Sequence, residues 1–175
     1  MTAPHATVGP IDAVAADSAQ PGLTWGLKRS FIRYISSLRD GQHAELEGAS
    51  LVPPSSFRFS TDSTELDDDG TGTIRFRGQV RLGGHGGMLF VMIADPWVEI
   101  GRDAALLTVV DVEHWPDTSR RMPLATLELP DATRTEAGLL WSSVEVRLTR
   151  EGTEVFNDQY AVGEEMDPLT MLIPG

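Results

Sequence analysis

The chain has 175 residues, of which 41% are hydrophobic and 23% are charged, a composition typical of one globular domain with a buried core. Its net charge of −12 argues against nucleic acid or an anionic membrane surface as the main partner. The absence of cysteine excludes disulfides, thiolate zinc sites and iron–sulfur clusters. Any metal would need nitrogen or oxygen ligands, or would arrive within a cofactor.

The first segment, residues 1–22, is rich in Ala, Pro, Gly and Ser without a period, which predicts a flexible N-terminal tail. It lacks the basic start and apolar run of a secretory signal, and no segment reaches the roughly 18 apolar residues of a membrane span. We expect residues 23–175 to form one domain of a cytoplasmic protein that does not insert into membranes. The alternative is a secreted or cell-surface protein of which this chain is a trimmed piece.

One helix is predicted at the start of this domain. Thr24 is a candidate N-cap for a helix that begins at Trp25 and ends at Gly41. Four side chains recur at helical spacing and so share one apolar face: Leu27, Phe31, Tyr34 and Leu38. By position alone, Tyr34 is therefore interpreted as a core residue whose hydroxyl reaches a single partner.

After this helix the hydrophobic pattern changes to a period of two, as in Phe57-Arg58-Phe59. Further strands are predicted over 74–77, 79–82, 88–93, 97–100, 105–113, 122–129, 139–149 and 153–156. The acidic run 67–70 predicts a hairpin turn, since it lacks the spacing of a calcium loop, and 163–175 predicts an irregular tail. This pattern favours a mainly β fold, an antiparallel two-sheet sandwich or barrel-like domain with a short N-terminal α-helix packed on it.

The stretch Gly83-Gly84-His85-Gly86-Gly87 sets one histidine between two pairs of glycines. Glycine in a strand-like stretch often marks the close approach of a ligand or another backbone. Histidine can donate, accept or bind metal near neutral pH, so this is a candidate ligand-facing residue, with a flexible turn as the alternative. His5, His43 and His114 are expected to be ordinary exposed residues. The sequence has no metalloprotease, P-loop, dinucleotide-binding or nucleophile-elbow motif.

A series of short segments follows in a fixed order between residues 23 and 170. They are Leu23-Thr24-Trp25-Gly26-Leu27-Lys28, Ser30-Phe31, Tyr34, Glu47-Gly48-Ala49, Phe57-Arg58-Phe59, Phe76-Arg77-Gly78, Gly84-His85-Gly86-Gly87, Asp95-Pro96, Ile100, Phe156, Tyr160, Gly163-Glu164 and Asp167-Pro168. No single segment is specific. Together and in this order they resemble the HtaA (haem-transport-associated) domain family of actinobacteria.

This resemblance implies a mostly β fold with a short helix that binds ferric haem b. In the family, a tyrosine of the first helix is the axial ligand of the haem iron, a glycine-flanked histidine hydrogen-bonds that tyrosine, and a second tyrosine contributes near the C-terminus. By motif position these residues are Tyr34, His85 and Tyr160. Tyrosinate is a known type of haem ligand, and a histidine N–H donated to the phenolate would stabilise its charged form.

Further contacts with the cofactor follow from the same resemblance. Gly84 and Gly86 are expected to let the porphyrin approach the sheet. Arg33 is a candidate partner for a propionate, together with Lys28 and Arg29, and a solvated charge on the helix face is the favoured alternative. Family members carry an aromatic residue directly before the C-terminal tyrosine, where this chain has Gln159. The aromatic contact is therefore either missing in this chain or supplied by Phe156 or another residue.

The implied function is haem transport, transfer or buffering, with a haem donor or acceptor protein as a partner. A non-catalytic carrier is favoured, because no second histidine is placed to act as a distal catalytic group. A haem-dependent enzyme that uses the same site is one alternative. The other is a degenerate domain that binds a protein partner instead.

Overall fold

Thirteen strands and two short helices make up residues 20–174, the part of the chain that this computed structural model describes. Residues 1–19, with His5 and most of the predicted tail, lie outside the described residues. Gly22, predicted as the last residue of that tail, already belongs to the first strand. Neither of the two helices is long and apolar enough to cross a membrane.

The helices are α1 (Arg29–Ser37) and α2 (Arg150–Val155), and two 3-10 turns cover His85–Gly87 and Val112–His114. The strands are β1 (Gly22–Trp25), β2 (Gln42–Leu46), β3 (Ala49–Val52), β4 (Ser56–Leu66), β5 (Gly72–Arg77), β6 (Gln79–Gly84), β7 (Leu89–Ala94), β8 (Trp97–Ile100), β9 (Ala105–Val110), β10 (Arg121–Glu128), β11 (Thr133–Thr135), β12 (Gly138–Leu148) and β13 (Glu165–Ile173). The acidic run 67–70 forms the turn between β4 and β5, as predicted.

Eight antiparallel strands close into a barrel. Their order is β1-β13-β12-β10-β9-β8-β5-β4, and β4 returns to β1. β3 and β11 pair with the N-terminal parts of β4 and β12. β2, β6 and β7 form a separate three-stranded sheet. Closure pairs both sides of these strands and so removes free sheet edges, which are prone to aggregation. The prediction of a mainly β, barrel-like fold with two sheets is confirmed.

The core lies inside this barrel and beneath the three-stranded sheet. The alternation predicted for Phe57-Arg58-Phe59 is confirmed, because both phenylalanines are buried while Arg58 is only partly covered. On β7, Leu89 and Val91 point into this core, whereas Phe90 between them is exposed. Each fully buried large side chain contributes about 1.5–3 kcal/mol relative to an exposed one, so this packing stabilises the scaffold that carries the site.

The predicted helix start at Trp25 is wrong. Trp25 belongs to β1, where it pairs with both β13 and β4, and its indole Nε1–H donates to the Asp167 carbonyl at 2.7 Å. Leu27 then turns the chain with a φ of +60°. Lys28 is the N-cap, so α1 starts four residues later than predicted and ends at Ser37. Strand pairing on two sides of β1 outweighed the N-cap signal at Thr24.

The strand predicted over 153–156 is also wrong. These residues fall largely in α2, which is capped where the Thr149 hydroxyl accepts a hydrogen bond from the Gly152 N–H at 2.9 Å. Such a cap satisfies one of the free N–H groups of the first turn. The helix places Phe156, its C-cap residue, under α1.

The irregular tail predicted over 163–175 is wrong as well, since it contains β13. This strand pairs with β12 on one side and β1 on the other, and it buries Met166, Leu169 and Met171 in the barrel. Pro168 is accommodated because its side chain is exposed and the β12 register is irregular nearby.

The short helix α1 packs on the β domain as predicted, next to the three-stranded sheet. It buries Phe31 and Ile35 and meets the end of β6, next to the glycine-flanked histidine. The ring of Phe31 contacts the ring of Phe156 edge-on, with centroids 5.5 Å apart. The helix is thereby fixed between the two segments that carry His85 and Tyr160.

Candidate functional site

Tyr34 lies at the edge of the buried face of α1. Its neighbours Phe31 and Ile35 are buried, but Tyr34 itself is 45% exposed. Its hydroxyl forms a short hydrogen bond with Nε2 of His85, 51 residues further along the chain. The interpretation of Tyr34 as a core residue is therefore wrong, since its polar end reaches a cleft at the surface.

His85 lies in a defined 3-10 turn between β6 and β7. The turn is closed by the Met88 N–H, which donates to the His85 carbonyl at 3.1 Å. His85, Gly86 and Gly87 all have left-handed φ values, of +52°, +64° and +93°. Glycine adopts this region without steric cost, whereas a histidine there is strained. Nothing lies within 4 Å of a Cβ placed at Gly86 or Gly87, so the turn presents bare backbone.

The Asp40 carboxylate accepts two hydrogen bonds from this turn. The donors are the backbone N–H groups of His85, at 3.1 Å to Oδ1, and Gly86, at 2.6 Å to Oδ2. Both hydrogen bonds favour the ionised carboxylate and therefore lower the pKa of Asp40, and the bond from the Gly86 N–H has the larger effect. Sequence reasoning missed Asp40, which falls within the last turn of the predicted helix, where no sequence signal pointed to a role.

Tyr160 lies deeper than Tyr34. Its ring meets Phe31 and Phe156 with centroid separations of 6.4 and 6.0 Å, and Lys28 Nζ lies 5.6 Å from its ring centre. Burial raises the pKa of the Tyr160 phenol, against the opposing effect of a hydrogen bond with the Ser30 side chain. Tyr160 is thus held as a neutral phenol at neutral pH.

Tyr34, His85 and Tyr160 line one cleft of about 310 Å³ between α1, the 3-10 turn and the segment after α2. The other lining residues are Ser30, Phe31, Leu89 and Gln159. The cleft therefore combines an apolar floor with five polar side chains, as ligand sites commonly do. A second open cleft of about 430 Å³ lies on the far side of the glycine turn and shares Leu89 with the first.

The remaining predicted residues lie around this cleft rather than in its lining. Phe156 is completely buried and supports Phe31 and Tyr160 from below. Gly84 lies under the end of α1, since a Cβ there would be 2.6 Å from Leu38 Cδ1. Gly86 lines the second cleft.

The basic residues of α1 are also outside the cleft lining. Arg33 is exposed on the helix. Lys28 forms an ion pair with Glu164 at 3.4 Å and donates to the Glu165 carbonyl at 2.8 Å, so part of its charge is already balanced. Within residues 20–174, no three His, Asp or Glu side chains are grouped so that they would hold a metal ion.

Comparisons with known proteins agree with this architecture. The profile of the HtaA family, described as Htaa, matches residues 20–172. No curated protein sequence matches the chain at a significant level. Among solved structures, the C-terminal domain of HtaA from Corynebacterium glutamicum is similar with a TM-score of 0.71 and 26% identity, over 85% of this chain and 92% of that one.

Two further structures share the fold. The N-terminal domain of HtaA from the same organism has a TM-score of 0.64 and 23% identity, over 88% of this chain and 97% of that one. The heme-binding protein HtaB from C. glutamicum has a TM-score of 0.61 and 16% identity, over 86% and 90%. Because the family profile spans nearly all of the described residues and the barrel matches these structures, the chain belongs to the HtaA family.

Proposed function

We propose that this protein binds ferric haem b as a carrier, in haem transport, transfer or buffering, and that the Tyr34 oxygen is the axial ligand of the iron. The observation that carries this proposal is the hydrogen bond between the Tyr34 hydroxyl and Nε2 of His85, at a cleft where Tyr34 is 45% exposed. A hydroxyl buried for packing alone would not face an open cleft. Family membership and the name of its heme-binding relative HtaB support haem binding, while the choice of ligand rests on the contact between Tyr34 and His85.

The residues present fit the cofactor chemically. A free phenol has a pKa near 10, and ferric haem supplies the Lewis acid that favours its anion. His85 lies where an Nε2–H would donate to that anion and stabilise it. A hard anionic oxygen favours Fe(III) over Fe(II). The apolar side chains of Phe31 and Leu89 line the cleft beside Tyr34 and offer a hydrophobic surface to a flat ring.

A carrier role is favoured over an enzymatic one because His85 is hydrogen-bonded to Tyr34. Among the described residues His85 alone of the histidines lines the cleft, and it is bonded to Tyr34. It is therefore engaged in tuning the ligand and is not free for acid–base work on a substrate. The proposal includes a haem donor or acceptor protein as partner.

Hemin titration followed by absorption spectroscopy tests this function. We expect the wild type to give a ferric tyrosinate spectrum and Tyr34→Phe, which keeps the ring but lacks the oxygen, to lose it. His85→Ala should weaken binding about 10- to 100-fold, the usual effect of losing a residue that orients a metal ligand. Unchanged affinity and spectrum in Tyr34→Phe would contradict the assignment of the ligand.

His114→Ala is the matched control for His85→Ala. His114 is another exposed histidine, it hydrogen-bonds Asp111, and it does not line the cleft. It should bind hemin like the wild type. A comparable loss in both histidine variants would point to unspecific surface binding instead of this site.

A further inference from the structure

Asp40 and His85 face each other because of the pairing of β2 with β6. The register of these strands pairs Gln42 with Gly83. Asp40 precedes Gln42 by two residues and His85 follows Gly83 by two residues, so the same register places them opposite each other just beyond the strand ends. The Asp40 backbone is placed by the tight turn after α1, in which the Gly41 N–H donates to the Leu38 carbonyl at 3.2 Å. A Cβ at Gly41 would lie 2.0 Å from the Ile35 carbonyl oxygen, so glycine is required for this turn.

The Asp40 carboxylate compensates a costly backbone conformation. His85 has a left-handed φ, which is strained for a residue other than glycine, and the two glycines that follow it lie in the same region. The His85 and Gly86 N–H groups both end on Asp40, at 3.1 and 2.6 Å. Hydrogen bonds to an ionised acceptor are shorter and stronger than those to a neutral one, so the Asp40 carboxylate stabilises this turn.

The segment from Tyr34 to Asp40 therefore contacts the histidine turn twice. Tyr34 bonds the imidazole of His85, and Asp40 bonds the backbone of the same residue. With its backbone fixed, His85 needs only one choice of side-chain rotamer to bring its Nε2 to the Tyr34 hydroxyl. The same nine-residue helix that carries the tyrosine also precedes the group that orients its histidine.

We propose that Asp40 is a positioning residue that fixes the His85 turn and so aims the imidazole at the Tyr34 hydroxyl. The expected effect on hemin affinity rests on the proposed haem function, but the positioning of His85 is a property of the ligand-free protein. Asp40 does not touch Tyr34 and acts only through His85. Its loss should therefore resemble, in weaker form, the loss of His85.

The test compares Asp40→Asn with Asp69→Asn. Asp69 is a matched control: it is exposed, it accepts two hydrogen bonds in a turn, from N and Oγ1 of Thr71 at 3.0 and 2.7 Å, and its pKa is also lowered. It lies in the β4–β5 hairpin, away from the cleft lining. We expect hemin affinity to fall about tenfold in Asp40→Asn, at the low end for residues that orient a metal ligand, and to stay unchanged in Asp69→Asn.

Combining Asp40→Asn with His85→Ala separates positioning from a general structural effect. If Asp40 acts through His85, the double variant binds hemin with the affinity and spectrum of His85→Ala alone. An additional tenfold loss in the double variant, or wild-type affinity in Asp40→Asn, would overturn the proposal.

A measurement without hemin keeps this test independent of the proposed function. In nitrogen NMR of the ligand-free protein, we expect Asp40→Asn to move the His85 Nε2 resonance away from its hydrogen-bonded position, and Asp69→Asn to leave it in place. If the wild type bound no hemin, the haem proposal would fail while this shift still decided the role of Asp40. An unchanged His85 resonance in Asp40→Asn would overturn that role.

Discussion

At the scale of single residues, the two tyrosines of the chain differ by their surroundings and not by their chemistry. Tyr34 is 45% exposed beside His85, whereas Tyr160 is packed against Phe31 and Phe156. Burial penalises the phenolate and raises the pKa of Tyr160. In the proposed site, the position of each tyrosine in the fold therefore distinguishes the iron ligand, Tyr34, from the supporting residue, Tyr160.

This difference predicts an alkaline titration. In Tyr34→Phe the remaining tyrosine is Tyr160, and we expect its phenol to ionise above pH 10. The near-ultraviolet absorbance of tyrosinate measures this ionisation. Because the fold favours the neutral phenol, its contribution to stability is complete below pH 10 and is lost as the pH rises through the raised pKa. The same variant unfolded in urea should titrate near 10. Ionisation of the folded variant at or below this value would contradict the assignment.

At the scale of elements, α1 approaches β6 over a glycine. The side chain of Leu38 covers Gly84, and a Cβ there would come within 2.6 Å of Leu38 Cδ1. The neighbouring Gly83 offers ordinary contact only, with the Leu89 carbonyl oxygen at 3.5 Å. One glycine of the motif thus admits the helix, while Gly86 leaves the backbone open at the turn.

Gly84→Ala should therefore destabilise the protein while Gly83→Ala should not. The added methyl must displace Leu38, so we expect the free energy of unfolding to fall by about 1 kcal/mol. This value is near the lower limit for overpacking, because the contacted atom is at the end of a flexible side chain. Gly83→Ala should stay within about 0.5 kcal/mol of the wild type in urea denaturation. Equal stability of the two variants would mean that Leu38 yields without cost.

At the scale of the whole molecule, the short strand β1 closes the barrel. It pairs with β13 and β4 at once, and its Leu23 and Trp25 are fully buried. β3, in contrast, pairs along one side with β4 and leaves Leu51 41% exposed. The first and last strands of the fold therefore meet, and stability depends on both ends of the domain.

Leucine-to-alanine substitutions in these two strands should differ strongly. Leu23→Ala removes a completely buried side chain and should lower the free energy of unfolding by about 2–5 kcal/mol. Leu51→Ala should cost less than about 1 kcal/mol, because much of its side chain already contacts water. Thermal or urea unfolding measures both. A small effect for Leu23→Ala would show that β1 is dispensable for barrel closure.

Local patterns in the sequence were sufficient for the strands with clear alternation and for the acidic turn at 67–70. They failed where long-range pairing decided the outcome. Trp25 follows a candidate N-cap, yet β13 and β4 hold it in a strand. Residues 163–175 contain two prolines, yet they include a central strand because β12 and β1 flank them.

The sequence by itself determined the mainly β class, the family resemblance and the choice of Tyr34, His85 and Tyr160 as site residues, since these follow from residue types and their order. Only the tertiary structure decided that Tyr34 reaches a cleft, that Phe156 is buried beneath it, and that Asp40 holds the histidine turn. The physical reason is that the contacts of His85 with Asp40 and Tyr34 join segments 45 to 51 residues apart through the β2–β6 register and the packing of α1. Phe156 reaches Phe31 from much further along the chain. Local periodicity carries no information about such distant pairings.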